Sequence, residues 1–404
     1  MTFKEKILRF NWALFLPMVA LIAIGTVAIW SSGNAREALF HGMWKNHVSS
    51  AVFSLVIYFV LAFTDWRSLV RWWAPPAYVI SLAMLIVVLF AGSEVYGGKR
   101  WLWFFQPSEI GKLCVLMFLA YLIMLWAEMR EASSPLALEA ADGDARAPGS
   151  FGVFTIAAAA AGIPALLILA EPDLGTTLAL VPAVIVMLVA ANIWRKGLFA
   201  LLAVGAVGAS LVLGAVYEAE KPGQSAERRE AILKLVPLKP HQIKRVKTFL
   251  FQDSDPMGAG YNARQALIAI ASGSKHGRGI GKGETNRLKY LPPSVSMNDF
   301  IFCVWAEETG FDGCLALIAL FAVLCSAGAW TAWRVKELEG RALALGITTL
   351  VFAHAYINIA MSVGMLPITG LPLPFISSGR TFLVTAVSGL GIVQSISIHN
   401  QETT

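Results

Sequence analysis

The feature that most constrains this chain is a succession of unbroken apolar runs, each close to the length a helix needs to cross a hydrocarbon layer of roughly 30 Å. They lie near residues 12–30, 48–63, 72–91, 110–127, 151–170, 174–193, 197–217, 300–330, 342–363 and 374–397. The runs are continuous rather than alternating, so they read as helices and not as the strands of a barrel. Of the 404 residues 57% are apolar and 14% charged, against about 25% charged in soluble domains. The expected fold is an all-α polytopic membrane protein, a single domain over residues 1–404 with about ten transmembrane helices. A disordered chain, a secreted disulfide scaffold and a coiled coil are excluded.

Details inside the runs fit this reading. Lys4, Lys6 and Arg9 precede a run long enough to span, so a retained first helix is expected rather than a cleaved signal peptide. Pro17, Pro75, Pro76, Pro164 and Pro182 fall inside spans, where membrane helices tolerate proline. Cys114, Cys303, Cys314 and Cys325 lie in or beside apolar runs without a CxxC pair, which reads as buried thiols.

Basic residues in short loops set the orientation. With the N-terminus inside, the inner segments carry Lys4, Lys6, Arg9, Arg67, Arg71, Arg130, Arg146, Arg195, Lys196, Arg334, Lys336 and Arg341. Short outer loops carry only Arg36, Lys45, Lys99 and Arg100. Both termini are therefore expected in the cytoplasm, with residues 128–150 as an acidic inner linker. Residues 218–299 form a large extracytoplasmic loop. It holds 14 Lys and Arg against 8 Asp and Glu, so the net charge of +6 belongs to this loop. It is either a solvated loop or a basic vestibule for an anionic ligand. Within it, 225–236 has an amphipathic helical pattern and 258–289 is punctuated by glycine.

Four constellations could carry chemistry. In the first, Gly97-Gly98-Lys99-Arg100-Trp101 is followed by Gln106-Pro107-Ser108-Glu109-Ile110-Gly111-Lys112. Glu109 and Lys112 share a helix face inside the membrane, where charges are costly. They form either a structural pair or part of a cationic pocket for a phosphate or diphosphate. In the second, Glu171-Pro172-Asp173-Leu174-Gly175-Thr176-Thr177 joins two spans, with Asp173 either a helix N-cap or a cation site.

In the third, Asn298-Asp299-Phe300 leads to Ala306-Glu307-Glu308-Thr309-Gly310. Asp299 stands between water and membrane, where partial desolvation raises basicity, and is the best general-base candidate. Glu307 and Glu308 need partners, and Lys112 is one candidate. In the fourth, residues 364–381 hold Pro and Gly at a spacing that implies a broken re-entrant turn, with Arg380 inside the last span. Residues 277–283 lack Walker spacing because Gly283 follows Lys282, and the histidines show no HExxH. A nucleic-acid partner is not expected, because the basic loop lacks aromatic interleaving.

These motifs together resemble the SEDS family (shape, elongation, division and sporulation; RodA and FtsW). The resemblance covers nearly the whole chain, through residues 100–112 (RW…QPSEIGK), 171–176 (EPDLGT), 299–308 (DFIFCVWAEE) and 364–377 (GMLPITGLPLPFIS). It implies a peptidoglycan glycosyltransferase, an inverting hexosyltransferase of the bacterial cytoplasmic membrane. Its substrates would be lipid II and the undecaprenyl-diphosphate-linked glycan chain. The resemblance makes Asp299 the catalytic aspartate and Arg100, Gln106, Glu109, Lys112, Asp173, Lys282 and Ser377 substrate-site candidates.

It also implies a divalent cation (Mg or Mn) with unknown ligands and no organic cofactor. A class B penicillin-binding transpeptidase and other elongation-complex proteins are the implied partners. Residues 255–262 and 391–396 look like the elongation branch, and 289–292 like the division branch, so an FtsW-like enzyme is the alternative. Two positions depart from the family pattern: Asn298 stands where Thr is usual, and Ser378-Gly379-Arg380 replaces Tyr-Gly-Gly. A lipid II flippase and a scaffold are the rival functions. The clustering of Arg100, Asp173 and Asp299 on the outer side favours an enzyme.

Overall fold

The computed structural model describes residues 3–34, 40–95, 98–103, 105–132, 150–171, 173–221, 223–236, 238, 240–251, 255 and 258–400. Gly97, Pro172, Arg36, Arg146, Pro256, Met257 and most of the acidic linker (133–149) lie outside them.

Nine described helices are long and apolar enough to span a membrane: Trp12–Gly33, Met43–Phe63, Trp66–Ala91, Pro107–Arg130, Phe151–Ala170, Lys196–Ala219, Ile301–Arg334, Leu338–Ser362 and Arg380–His399. The remaining expected span, Leu174–Ala190, is apolar but has only 17 residues. These segments are helical because their residues are apolar on every face and a backbone in lipid must satisfy its own hydrogen bonds. Pro75 and Pro76 sit in the first turn of a helix that follows a short π-helical stretch, where a missing N–H costs little. The only described strands are a hairpin, Ser93–Val95 with Gly98–Trp101. The cysteines are free, two buried and two half-buried.

The core lies at the C-terminal helices. Arg380–His399 is 83% buried and Leu338–Ser362 72%, against 6% for Lys196–Ala219, which stands at the periphery. Small residues let the central helices meet closely: a Cβ on Gly391 would come within 2.9 Å of the Tyr58 carbonyl oxygen. At one end of the bundle Arg9 donates to the Asn400 carbonyl (2.8 Å) and Arg67 to that of His399 (3.3 Å), so both chain ends meet there.

The segment 218–299 sits at the opposite end. Its helices are Ala226–Lys234, Pro240–Leu250 and Ala259–Gly273, with short turns Glu284–Arg287 and Pro293–Ser296. Ser225 caps the first helix by accepting from the Arg228 N–H, but that helix buries no residue, so its pattern does not mark a packed face.

At this end one long helix is broken and the connection between the last two helices is irregular. Ile301–Arg334 is interrupted at Gly310, whose φ of 69° requires glycine. The turn 274–279 fits into the break. Arg278 and Gly279 donate to the carbonyls of Glu307 and Glu308 (3.0 and 2.9 Å), and Phe311 and Asp312 donate to those of Ser274 and Lys275 (2.9 and 3.2 Å). Backbone groups freed by the break are thus satisfied by the loop.

The connection, residues 363–379, is the expected irregular turn, exposed at Met365 and Gly370 but buried over 373–377, with Leu371, Leu373, Phe375 and Ile376 in the core. It corrects the start of the last span. The prolines at 372 and 374 keep that stretch out of a helix, which begins at Arg380 after Gly379. Arg380 is therefore exposed at a helix end rather than inside the membrane.

Candidate active site

Asp299 immediately precedes the broken helix Ile301–Arg334. Its backbone carbonyl accepts from Asn358 Nδ2 at 2.9 Å, and the same nitrogen donates to the Leu371 carbonyl at 2.7 Å. Asn358 thereby ties the catalytic candidate to a central helix and to the irregular 363–379 segment. Ser377 reinforces the tie: its hydroxyl donates to the Asn298 carbonyl (2.7 Å) and accepts from the Leu373 N–H (2.8 Å). The backbone on both sides of Asp299 is held, while its carboxylate accepts no hydrogen bond from a described residue.

The nearest cation is one that sequence reasoning missed. Arg245, in helix Pro240–Leu250, donates through Nη1 to the Thr369 carbonyl at 2.7 Å. Gly370 follows, and a Cβ there would stand 3.8 Å from both Asp299 Oδ2 and Arg245 Nη2. The carboxylate and guanidinium thus flank one glycine. A signal was available, since Arg245 lies in the loop holding the whole positive surplus, but composition cannot say which of 14 cations turns inward.

Arg100, from the hairpin, donates through Nε to the Glu171 carbonyl at 3.1 Å. Asp173 accepts from the Thr176 N–H (3.1 Å), the Thr176 hydroxyl (2.8 Å) and Gln106 Nε2 (3.0 Å). It is therefore a helix N-cap that also holds Gln106.

Electrostatics tie these groups together. Burial pushes the half-buried Asp299 up to about 6; Arg245 and then Arg100 pull it back, and Asp173 adds to the rise. Burial, then repulsion from Arg100, lowers the Arg245 guanidinium from its ordinary value. Glu171 is buried with neither carboxyl oxygen hydrogen-bonded, and burial with Asp173 nearby raises it to about 8.

Arg100, Gln106, Asp173 and Asp299 are therefore brought together, with Arg245 and Glu171. The other sequence candidates are placed differently. Lys112 is fully buried, its ammonium 2.8 Å from Glu109 Oε2 and 2.8 Å from His354 Nε2, and 5.1 Å from the Phe382 ring centre. A buried charge is stable only when paired, so this is a closed cluster within the bundle, beside only a small apolar cavity that it shares with Leu113, Ile347 and Phe382.

Glu307 and Glu308 do not meet Lys112 as expected. Glu307 accepts from the N–H groups of Glu284 (2.9 Å) and Thr285 (3.2 Å), and Glu308 from the Ser31 hydroxyl. Ser377 is buried and engaged, as above. Lys282 is exposed, in the turn where the Gly281 N–H donates to Ser31 (3.1 Å), and is not brought to Asp299. No three His, Cys, Asp or Glu side chains converge as metal ligands among the described residues.

The sequence pattern of the FtsW/RodA/SpoVE cell cycle proteins matches residues 11–402. The chain is 32% identical to the peptidoglycan glycosyltransferase MrdB of Escherichia coli K12, over 99% of this chain and 96% of that one. It is 31% identical to the probable peptidoglycan glycosyltransferase FtsW of Halomonas elongata, over 96% of this chain and 90% of that one. Among solved structures it resembles a chain of a peptidoglycan synthase complex that coordinates polymerisation and crosslinking (TM-score 0.68, 26% identity, 96% of this chain and 97% of that one). It also shares the fold of the rod shape determining protein RodA of Thermus thermophilus (TM-score 0.63, 23% identity, 97% and 98% covered).

Proposed function

The chain belongs to the FtsW/RodA/SpoVE family of multi-pass membrane proteins, and from that premise we propose that it is a peptidoglycan glycosyltransferase polymerising lipid II at the outer face of the cytoplasmic membrane. Both termini then lie in the cytoplasm, as the loop charges require, and 218–299 is the extracytoplasmic segment. We assign it to the elongation branch, acting with a class B penicillin-binding transpeptidase.

The observation that carries this reading is the Asp299 carboxylate: backbone fixed on both sides, oxygens unclaimed, and two guanidinium groups beside it. A carboxylate near 6 is ionised at neutral pH and basic enough to take a hydroxyl proton as the new bond forms. The sugar hydroxyl of lipid II attacks C1 of the growing chain's terminal sugar. Its proton passes to Asp299, and the C1–O bond breaks with its electron pair leaving on the undecaprenyl diphosphate. Displacement in one step inverts the anomeric centre, so an α-linked donor gives β-linked polymer. Arg245 and Arg100 are placed to offset the charge gathering on the diphosphate. A divalent cation, Mg or Mn, would add to that stabilisation of the diphosphate.

The test is lipid II polymerisation by the purified protein, with and without its transpeptidase. Wild type should give polymer and Asp299→Asn essentially none. A liposome flipping assay on the same samples addresses the carrier reading. Flipping by wild type, with polymer equal in both proteins, would overturn the assignment.

A further inference from the structure

At the end of the bundle opposite Asp299, a cavity of about 350 Å³ opens beside the two chain ends. Arg9, Asn11, Trp12, Trp330, Arg334 and Asn400 line it. Its two arginines are held in fixed relation through one residue. Arg9 Nη1 donates to the Asn400 carbonyl (2.8 Å), and Asn400 Nδ2 donates to the Arg334 carbonyl (3.0 Å). A further bond, from Asn11 Nδ2 to the Thr331 hydroxyl (3.1 Å), joins the two helices that flank the cavity.

What distinguishes this pair is its charge balance. At the same end Arg67 meets Glu337 at 2.6 Å, and Arg71 is paired with Glu128. Among the described residues neither Arg9 nor Arg334 meets a carboxylate. Arg334 instead lies over the Trp330 ring, 5.1 Å from its centre, and is exposed. Two arginines at one small cavity repel each other unless an anion joins them, and the guanidinium fork suits phosphate oxygens.

The tryptophans say at what depth that anion sits. Trp12 is 55% exposed and Trp330 58%, each at the end of a membrane helix, where an indole ring lies at the headgroup level. An anion delivered there comes with acyl chains. The exposed Leu16 one turn further in continues an apolar surface for them.

We propose that this cavity is a binding site for an anionic phospholipid, its headgroup phosphate held between Arg9 and Arg334 and its chains lying past Trp12. The site is independent of the glycosyltransferase chemistry, being at the other end of the molecule. It ties the N-terminal segment, the end of helix Ile301–Arg334 and the C-terminus to the leaflet.

The test uses full-length protein in nanodiscs of phosphatidylcholine alone or with phosphatidylglycerol. Retained lipid is read by native mass spectrometry after release into neutral detergent. Wild type should keep phosphatidylglycerol in preference to phosphatidylcholine. The double variant Arg9→Gln/Arg334→Gln should lose that preference by roughly thirtyfold, the effect of removing two interfacial cations. Arg9→Lys/Arg334→Lys keeps the charge and should lose only part of it, and its melting in phosphatidylcholine nanodiscs checks folding.

Arg130→Gln, at an interfacial arginine away from the cavity, should change nothing. Equal retention by the double Gln variant would overturn the site. So would an equal loss in Arg130→Gln, which would mean diffuse charge, or displacement of the lipid by millimolar inorganic phosphate, which would mean a site for the free oxyanion.

Discussion

Residues 299–308 hold three carboxylates, Asp299, Glu307 and Glu308, and the structure uses them in opposite ways. Glu307 accepts from the backbone of Glu284 and Thr285 with both oxygens, and Glu308 accepts through Oε1 from Ser31, which in turn accepts from the Gly281 N–H, so both fasten the loop into the helix break at Gly310. Asp299 has its backbone fastened and its carboxylate left over. The fold-holding acids hydrogen-bond to the chain through their carboxylates; the acid available for chemistry is positioned through its main chain, and its carboxylate meets the guanidinium groups of Arg245 and Arg100 by charge alone among the described residues. The same division separates the closed Glu109–Lys112–His354 cluster from the open Arg100–Arg245–Asp299 group.

The contrast can be broken most sharply by isosteric amide substitutions. Asp299→Asn should lower polymerisation by about 10²–10⁴-fold, the usual weight of a general base, with melting unchanged. Glu307→Gln should instead lower the melting temperature, because an amide nitrogen placed against the Glu284 and Thr285 N–H groups leaves buried donors unmet. Any activity lost should follow the folded fraction. Thermal melting beside a polymerisation assay separates the two, and a melting loss in Asp299→Asn would erase the distinction.

Gly310→Ala tests the break itself. The residue's φ of 69° and a Cβ only 2.3 Å from the Gly277 nitrogen leave no room, so the loop must shift. A cost of about 1–3 kcal/mol is expected from the backbone strain alone, read as a drop in melting temperature and faster proteolysis of the loop around residues 274–283.

Arg245→Gln sharpens the other side. Asp299 works as a base when ionised, so the wild-type rate should fall as pH drops through about 6. Arg245 favours the ionised form, and its removal should move that acidic limb to higher pH while lowering the rate at neutral pH about tenfold. A limb that stays in place, with only KM altered, would make Arg245 a binding group without influence on the base.

Much of this was legible in the sequence, and the reason is physical. A membrane demands long apolar runs, so spans could be read from hydropathy, and charges that violate that demand stood out. Asp299, Arg100 and Asp173 were found that way. Lys112 stood out by the same rule, but the rule cannot tell a cation facing a cavity from one closed off by Glu109 and His354. Arg245 was hidden for the opposite reason: it lies in a loop where arginine is unremarked, and only folding turns it toward Gly370. The last helix starts later than hydropathy suggests because 374–379 continue an apolar run, while Pro372, Pro374 and the tight turns serve a buried irregular segment.

The smallest expected effect concerns Asn298 and Ser378, where the resemblance leads one to expect other residues. Asn298 and Ser378 are far apart in sequence, yet the Ser378 hydroxyl donates to Asn298 Oδ1 at 2.5 Å, and the Ser378 N–H donates to the Met297 carbonyl at 3.1 Å. This side-chain contact helps to hold the residue before Asp299. Ser378→Ala should cost about 1 kcal/mol and reduce polymerisation slightly, by letting the Asp299 backbone loosen. Asn298→Thr alone should do the same, while the two changes together should cost less than their sum, because each removes the same bond. A double-mutant cycle in melting temperature measures the coupling, and strict additivity would mean that the two residues act independently.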